Sequence, residues 1–263
     1  MHAVSGFLAE HGCNIVDSSQ FGDVGTGLFF MRVHFTSPGD LPALHDRFVA
    51  VGAAYGMRWQ IHDRAERVRV LVMVSQLGHC LNDLLYRTST GALHADLRAV
   101  VSNHEDFRGL VEGHGVPFHH VQVPPGGKAQ AERQLLELVA EEKVELVVLA
   151  RYMQVLSDDL CARLPDTINI HHSFLPSFKG ARPYHRAYER GVKLIGATAH
   201  YVTPDLDEGP IIEQEVTRVD HAATPERLVA VGRDLECLAL ARAVGWHLDH
   251  RVLRNGQRTV VFS

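Results

Sequence analysis

The sequence predicts an α/β fold over residues 66–263, a mostly parallel sheet covered on both faces, preceded by a small α+β unit over residues 1–65. Three observations carry this. Short, mostly apolar runs recur from residue 68 onward, as in Val68-Arg69-Val70-Leu71-Val72-Met73-Val74, and such runs suit strands buried on both faces. Amphipathic stretches of helical period separate them, and strand–helix alternation builds parallel sheets. The charged run Asp63-Arg64-Ala65-Glu66-Arg67 has no apolar anchor, which makes it a boundary.

The elements follow in chain order. Val4, Phe7, Leu8 and His11 fall at helical spacing, and Gly12 reads as a stop. Residues 14–21 and 27–35 alternate as strands, and Gly22-Asp23-Val24-Gly25-Thr26 between them is turn chemistry, so a hairpin is expected. Leu41, Leu44, Phe48 and Val51 mark a second helix, and residues 57–62 alternate like a further strand. In the second unit, strands are expected at 68–74, 97–102, 146–150, 167–171, 194–202 and 211–216. Helices are expected through Leu81, Leu84 and Leu85, over 131–143 and over 224–248, with a last strand near 259–262. Ligands of such sheets bind at the carboxyl ends of the strands.

Composition narrows the function classes. The chain has 263 residues, with 26 Lys+Arg against 31 Asp+Glu and a net charge of -5. That balance argues against a nucleic-acid binder relying on a broad basic surface. No apolar run approaches the roughly 20 residues of a membrane span, and the first residues lack a signal peptide's basic and apolar regions. Cys13, Cys80, Cys161 and Cys237 are widely spaced, without a CxxC pair, so a reducing cytoplasm is the expected location. The 18 His raise the question of a metal. The adjacent pairs His119-His120 and His171-His172 would point to opposite faces of a strand, so neither chelates one ion easily; no metal is expected.

Chemistry concentrates in two segments. In Ile168-Asn169-Ile170-His171, period-2 geometry turns Asn169 and His171 to the same face. An amide donor beside an imidazole suits carbonyl polarisation and proton transfer; taken alone, the pair also fits a capping Asn and a satisfied core His. Thr203-Pro204-Asp205-Leu206-Asp207-Glu208-Gly209-Pro210 is an acidic loop between strands. Its carboxylates could orient water or a His, or simply form a solvated turn.

Together these segments resemble the folate-dependent formyltransferase family. The resemblance rests on Asn169-Ile-His171, the run Ser173-Phe-Leu-Pro-Ser-Phe-Lys-Gly180 and Asp207-Glu-Gly-Pro-Ile-Ile212. It is supported by His79-Cys80-Leu-Asn-Asp-Leu-Leu85, Leu149-Ala-Arg-Tyr-Met-Gln-Val-Leu156, Gly180-Ala-Arg-Pro-Tyr-His185 and Gly196-Ala-Thr-Ala-His-Tyr-Val202. It runs continuously over about 68–261 and implies a Rossmann-like formyltransferase sheet. It further implies that the formyl oxygen of 10-formyltetrahydrofolate faces Asn169 and His171, where a positioned donor stabilises developing charge by roughly 3–4 kcal/mol. Asp207 would hold His171 in its useful protonation state and activate the attacking water. Met153, Gln154, Val155 and Leu156 would receive the pterin, with the 197–207 segment, including Ala197, His200 and Val202, as the other wall. No cofactor is implied, because the carbon unit arrives activated on the folate, which is substrate.

The same resemblance bears on the acceptor. The glycinamide ribonucleotide enzymes of this family hold a phosphate in a Gly-Ser-Asn-rich loop after the first strand of the sheet. Here that place reads Val74-Ser75-Gln76-Leu77-Gly78-His79-Cys80, with one Gly, so the anion nest is degraded. Water is then the expected nucleophile and the products are tetrahydrofolate and formate, feeding one-carbon balance and purine synthesis. His79 and Cys80 would line the acceptor site and order that water, although Cys80 also fits a buried small hydrophobe. Lys179 and Arg182 could attract the glutamate tail of the folate or lie in a solvated loop. The alternatives are formyl transfer to an amine, and a non-catalytic regulator responsive to folate or amino acid.

The first unit reads helix–strand–strand–helix–strand and resembles an ACT domain, a ferredoxin-like βαββαβ ligand-sensing module, without its first strand and its Asp-x-Pro-Gly loop. A misplaced start is the favoured explanation. The resemblance implies methionine or glycine as effector, in doubt here with the loop missing, and a homo-oligomer. No nucleic-acid or membrane partner is expected.

Overall fold

The computed structural model describes residues 1–176 and 183–263. The chain forms two compact units, the first holding Met1–Glu66 and the second Arg67–Val261.

In the first unit, α1 (His2–Glu10) leads to β1 (Asn14–Asp23) and β2 (Leu28–Thr36), which pair antiparallel, and then to α2 (Leu41–Ala54). Asp40 caps α2 by accepting the Ala43 amide at 3.3 Å. Phe7, Leu8, Leu44 and Phe48 form the core. The strand expected over 57–62 is corrected: the segment belongs to no strand. Met57, Trp59 and Ile61 do pack on the core at strand spacing, so the alternation was real. A strand is defined by a hydrogen-bonded neighbour, and the sheet of this unit consists of β1 and β2 alone among the described residues.

The second unit contains β3 (Val68–Val74), α3 (His79–Ser89), β4 (Ala95–Ser102), α4 (Arg108–Gly113), β5 (Phe118–His120), α5 (Lys128–Glu141) and β6 (Leu146–Leu149). There follow α6 (Asp158–Arg163), β7 (Asp166–His171), α7 (Pro183–Arg190), β8 (Leu194–Tyr201), β9 (Ile211–Arg218), α8 (Pro225–Leu248), β10 (Val252–Asn255) and β11 (Arg258–Val261). Seven strands form one sheet in the order β5-β4-β3-β6-β7-β8-β9. The pairs from β5 to β7 are parallel; β7–β8 and β8–β9 are antiparallel. The sheet is thus mostly parallel, as expected.

Alternation along β3 divides the core. Val70, Val72 and Val74 pack on one face with α3 and α8 through Leu81, Leu84, Leu240 and Val244. Leu71 and Met73 pack on the other with α5 and α6 through Leu135, Leu138 and Leu160. From β3 the chain builds outward through β4 and β5; from β6 it builds the opposite way through β7. The strand order therefore reverses between β3 and β6, the place where open α/β sheets hold ligands. Ser75 Oγ ties the two strand ends, donating to Asn103 Oδ1 at 2.7 Å and accepting the Met153 amide at 2.9 Å. The last strand expected near 259–262 is present as β11, paired antiparallel with β10, while three-residue β5 and four-residue β10 are too short for a period to register in the sequence. Among the described residues, no helix is long and apolar enough to cross a membrane.

Candidate active site

Asn169 and His171 lie at the carboxyl end of β7, two residues apart on one face. Strand β8 runs antiparallel beside them, with Asn169 opposite His200 and His171 opposite Thr198. The loop from β8 to β9 then brings in Asp207. Its backbone is left-handed, φ +58°, a conformation that Asp tolerates better than most residues. Gly209 permits the closure that follows: a Cβ there would meet the Tyr201 carbonyl oxygen at 1.7 Å. The Tyr201 amide donates to Pro210 O at 2.9 Å, fastening the turn to β8.

These elements deliver three side chains to one point. His171 Nδ1 stands 3.2 Å from Asp207 Oδ1. A ring nitrogen facing a carboxylate carries the proton, so in the neutral ring Nε2 holds the free lone pair. That Nε2 is buried and has no hydrogen-bond partner among the described residues, unusual for a buried polar atom and expected where a reactant is to bind. Asn169 Nδ2 lies 3.2 Å from His200 Nε2. His200 Nδ1 donates to the Tyr201 carbonyl at 2.9 Å, which makes Nε2 the acceptor and fixes the Asn169 amide through one of its two N–H groups.

Burial pushes the Asp207 carboxyl up, but the hydrogen bond from His171 and the charge of the surrounding imidazoles outweigh it and hold the group below the usual carboxylate range. Burial also lowers His200, against the hydrogen bond to Tyr201 O, which keeps it neutral. His172, beside His171 at 5.0 Å between ring centroids, is pushed down to about 3 by burial and by the charges of Arg151 and His171. Folded His172 therefore refuses a proton that the unfolded chain accepts below its ordinary value of 6.5. Its stabilising share is full above that value and falls with acid, by up to about 1.4 kcal/mol per pH unit. Urea unfolding at pH 7.5, 6 and 5 should accordingly show a shallower loss of stability in His172→Gln than in the unaltered protein. Equal slopes would mean that His172 titrates as an exposed His.

The segment after β6 is the one expected to receive the pterin. Met153 and Val155 are exposed, while Gln154 and Leu156 are half-buried. Gln154, Val155 and Leu156 line a pocket of about 360 Å³, open solvent included, with Lys128 and Glu132 opposite. Val202, Leu156 and Tyr152 all pack against the core of the α5–α6 face. Three of the expected lining residues have buried side chains. His200 is 2% exposed with both ring nitrogens engaged, one of them orienting Asn169. Ala197 and Cys80 are fully buried in the α3–α8 core. Lys179 and Arg182 lie outside the described residues.

His79 does reach the strand ends, and it meets residues the sequence reading missed. Its Nε2 is 2.7 Å from Glu236 Oε2, and Tyr184 donates to Glu236 Oε1 at 3.1 Å. Arg151 Nε stands 3.4 Å from the same carboxylate. The signal for Glu236 was available: it is a lone acid inside the apolar run Leu235-Glu236-Cys237-Leu238-Ala239-Leu240. Ligand atoms of His79, Cys80 and Glu236 lie within 4.8 Å of one another, a spacing a metal could use. The chemistry opposes it. The Cys80 thiol is pushed well up by its hydrogen bond with Cys237 and by burial, so the thiolate is disfavoured, and the Arg151 guanidinium already neutralises the carboxylate.

Comparison with known proteins places this geometry in context. A model of the formyl transferase family matches residues 68–244. A formyltetrahydrofolate deformylase of Corynebacterium sp. (strain P-1) is 54% identical over 265 residues, covering 99% of this chain and 93% of that protein. One from Bacillus subtilis (strain 168) is 48% identical, covering 99% and 89%. The crystal structure of formyltetrahydrofolate deformylase from Burkholderia mallei ATCC 23344 superposes with a TM-score of 0.94 at 52% identity, covering 99% and 94%. Glycinamide ribonucleotide transformylase 1 from Symbiobacterium toebii gives 0.71 at 29% identity, covering 79% and 99%.

Proposed function

The chain belongs to the formyl transferase family, among its formyltetrahydrofolate deformylases, and from that premise we propose how it hydrolyses 10-formyltetrahydrofolate to tetrahydrofolate and formate. The observation that carries the proposal is His171, held at Nδ1 by Asp207 at 3.2 Å while its buried Nε2 has no partner among the described residues.

The pterin lies against Met153, Gln154, Val155 and Leu156, which puts the formyl group at the end of β7. The formyl oxygen takes the free N–H of Asn169. His171 Nε2 removes a proton from water as the water oxygen bonds to the formyl carbon. Negative charge grows on the formyl oxygen, and the Asn169 donor is already in place for it. Asp207 stabilises the imidazolium without taking its proton. The C–N10 bond then breaks, its electron pair goes to N10, and His171 returns the proton there. Formate leaves.

The test is direct. The protein incubated with 10-formyltetrahydrofolate alone should release one formate per tetrahydrofolate. Formate appearing only when an amine is added would make it a transferase instead.

The unit over residues 1–65 is read as an ACT-like module that pairs subunits; the loop with which such modules sense methionine or glycine is absent from its sequence. Its α–β–β–α order supports this, as do Val16, Phe21 and Phe29, exposed on the β1–β2 hairpin. A cytoplasmic setting is read from the four free thiols.

A further inference from the structure

Glu236 has no part in the hydrolysis outlined above, yet it is 2% exposed and holds together four separate pieces of the second unit. His79 comes from the start of α3, just beyond β3; Arg151 from the end of β6; Tyr184 from α7; Glu236 itself from α8. Burial raises its carboxyl, but the His79 hydrogen bond and the charge of Arg151 overcome this and keep it ionised. Space is reserved for the arrangement. Any Cβ at Gly232, one turn before Glu236, would strike the Tyr184 ring at 2.1 Å. On the α3 side, a Cβ at Gly78 would strike the Phe107 ring at 2.4 Å.

The position of this cluster matters more than its stability. His79 and Arg151 flank the point between β3 and β6 where the strand order reverses, which is the ligand crevice of an open α/β sheet. The cluster adjoins the reacting end of β7 through His172, whose ring is 5.0 Å from that of His171 and 6.5 Å from that of Tyr184. The segment read as the pterin wall packs instead on the opposite, α5–α6 face. With the folate on that face, a nucleophile reaches the formyl carbon from the α3–α8 side, where His79 and Tyr184 hydrogen-bond the Glu236 carboxylate and Arg151 pairs with it at 3.4 Å.

We propose that the His79–Glu236–Arg151–Tyr184 cluster is the acceptor filter of this enzyme, closing the crevice to amines and leaving room for water. The inference rests on the hydrolytic reading above. Discrimination here is steric and by pairing: an amine would have to displace His79 or Tyr184 and leave a buried carboxylate short of partners. Once admitted, the amine nitrogen would bond to the formyl carbon as the C–N10 bond breaks. The electron pair of that bond goes to N10, and the proton lost by the amine ends there.

The experiment measures partition. The protein is given 10-formyltetrahydrofolate with glycinamide as competing amine, and formate and N-formylglycinamide are counted per tetrahydrofolate, corrected for the enzyme-free reaction. The unaltered protein should yield formate almost alone. His79→Ala should raise the formylated-amine share at least about tenfold, since the filter costs the amine at least about 1.4 kcal/mol. Glu236→Gln, of the same shape, should raise it less by loosening His79. If His79→Ala does not fold, Glu236→Gln decides. Variants that consume the folate at the native product ratio would overturn the filter. If the unaltered protein released no formate even without amine, the hydrolytic reading would fall first and the filter with it.

Discussion

Asp207→Asn should lower formate release by about a thousand- to ten-thousand-fold while tetrahydrofolate binds within a few-fold of its normal affinity. The magnitude follows from the ring tautomer. Asp207 accepts from His171 Nδ1 at 3.2 Å and so leaves Nε2 as a base. An Asn side chain can turn its NH2 toward Nδ1, which moves the ring proton to Nε2 and removes the base. The backbone gives no competing explanation, because Asn tolerates the left-handed φ of +58° at this position as well as Asp does. Single-turnover formate release, with tetrahydrofolate affinity measured by calorimetry, separates chemistry from binding. Turnover near normal would remove Asp207 from the mechanism.

Gly209→Ala should reduce kcat by about a hundredfold, the usual consequence of moving a catalytic group by about 1 Å. The new Cβ would lie 1.7 Å from the Tyr201 carbonyl oxygen and 2.9 Å from its carbon. Both are backbone atoms of β8 and cannot swing aside, so the turn must lift. Asp207, two residues earlier, lifts with it and loses His171. Overpacking of this kind also costs about 1–3 kcal/mol of stability, and a lowered melting temperature should accompany the lost activity. Gly113→Ala is the control: nothing lies within 4 Å of a Cβ there, and activity should be unchanged. Full activity in Gly209→Ala would mean that the turn does not set the position of Asp207.

Most of the sheet was legible in the sequence because its central strands are mostly apolar. Val68–Val74 is read with its observed bounds, since five of its seven residues, Val70 to Val74, are buried. The first unit shows the converse. Residues 57–62 alternate, and Met57, Trp59 and Ile61 do bury one side, but alternation reports a face and says nothing of a neighbour. The same limit explains His200. An imidazole in an apolar strand beside a binding loop reads as a ligand contact until its partners are known. Both partners turn out to be internal, the Tyr201 carbonyl and Asn169.

By itself the sequence determined which residue types could carry the chemistry: an amide and an imidazole two apart on one strand, and a carboxylate in a Gly-containing turn. Those are local properties, set by strand period and turn chemistry. Only the tertiary structure decided what each of them meets. The antiparallel register of β7 and β8 sets Asn169 against His200. The left-handed Asp207 carries its carboxylate to His171. Glu236, on α8, crosses to His79 at 2.7 Å. Sequence distance says nothing about such meetings, because they depend on strand order, register and the packing of a helix across a sheet.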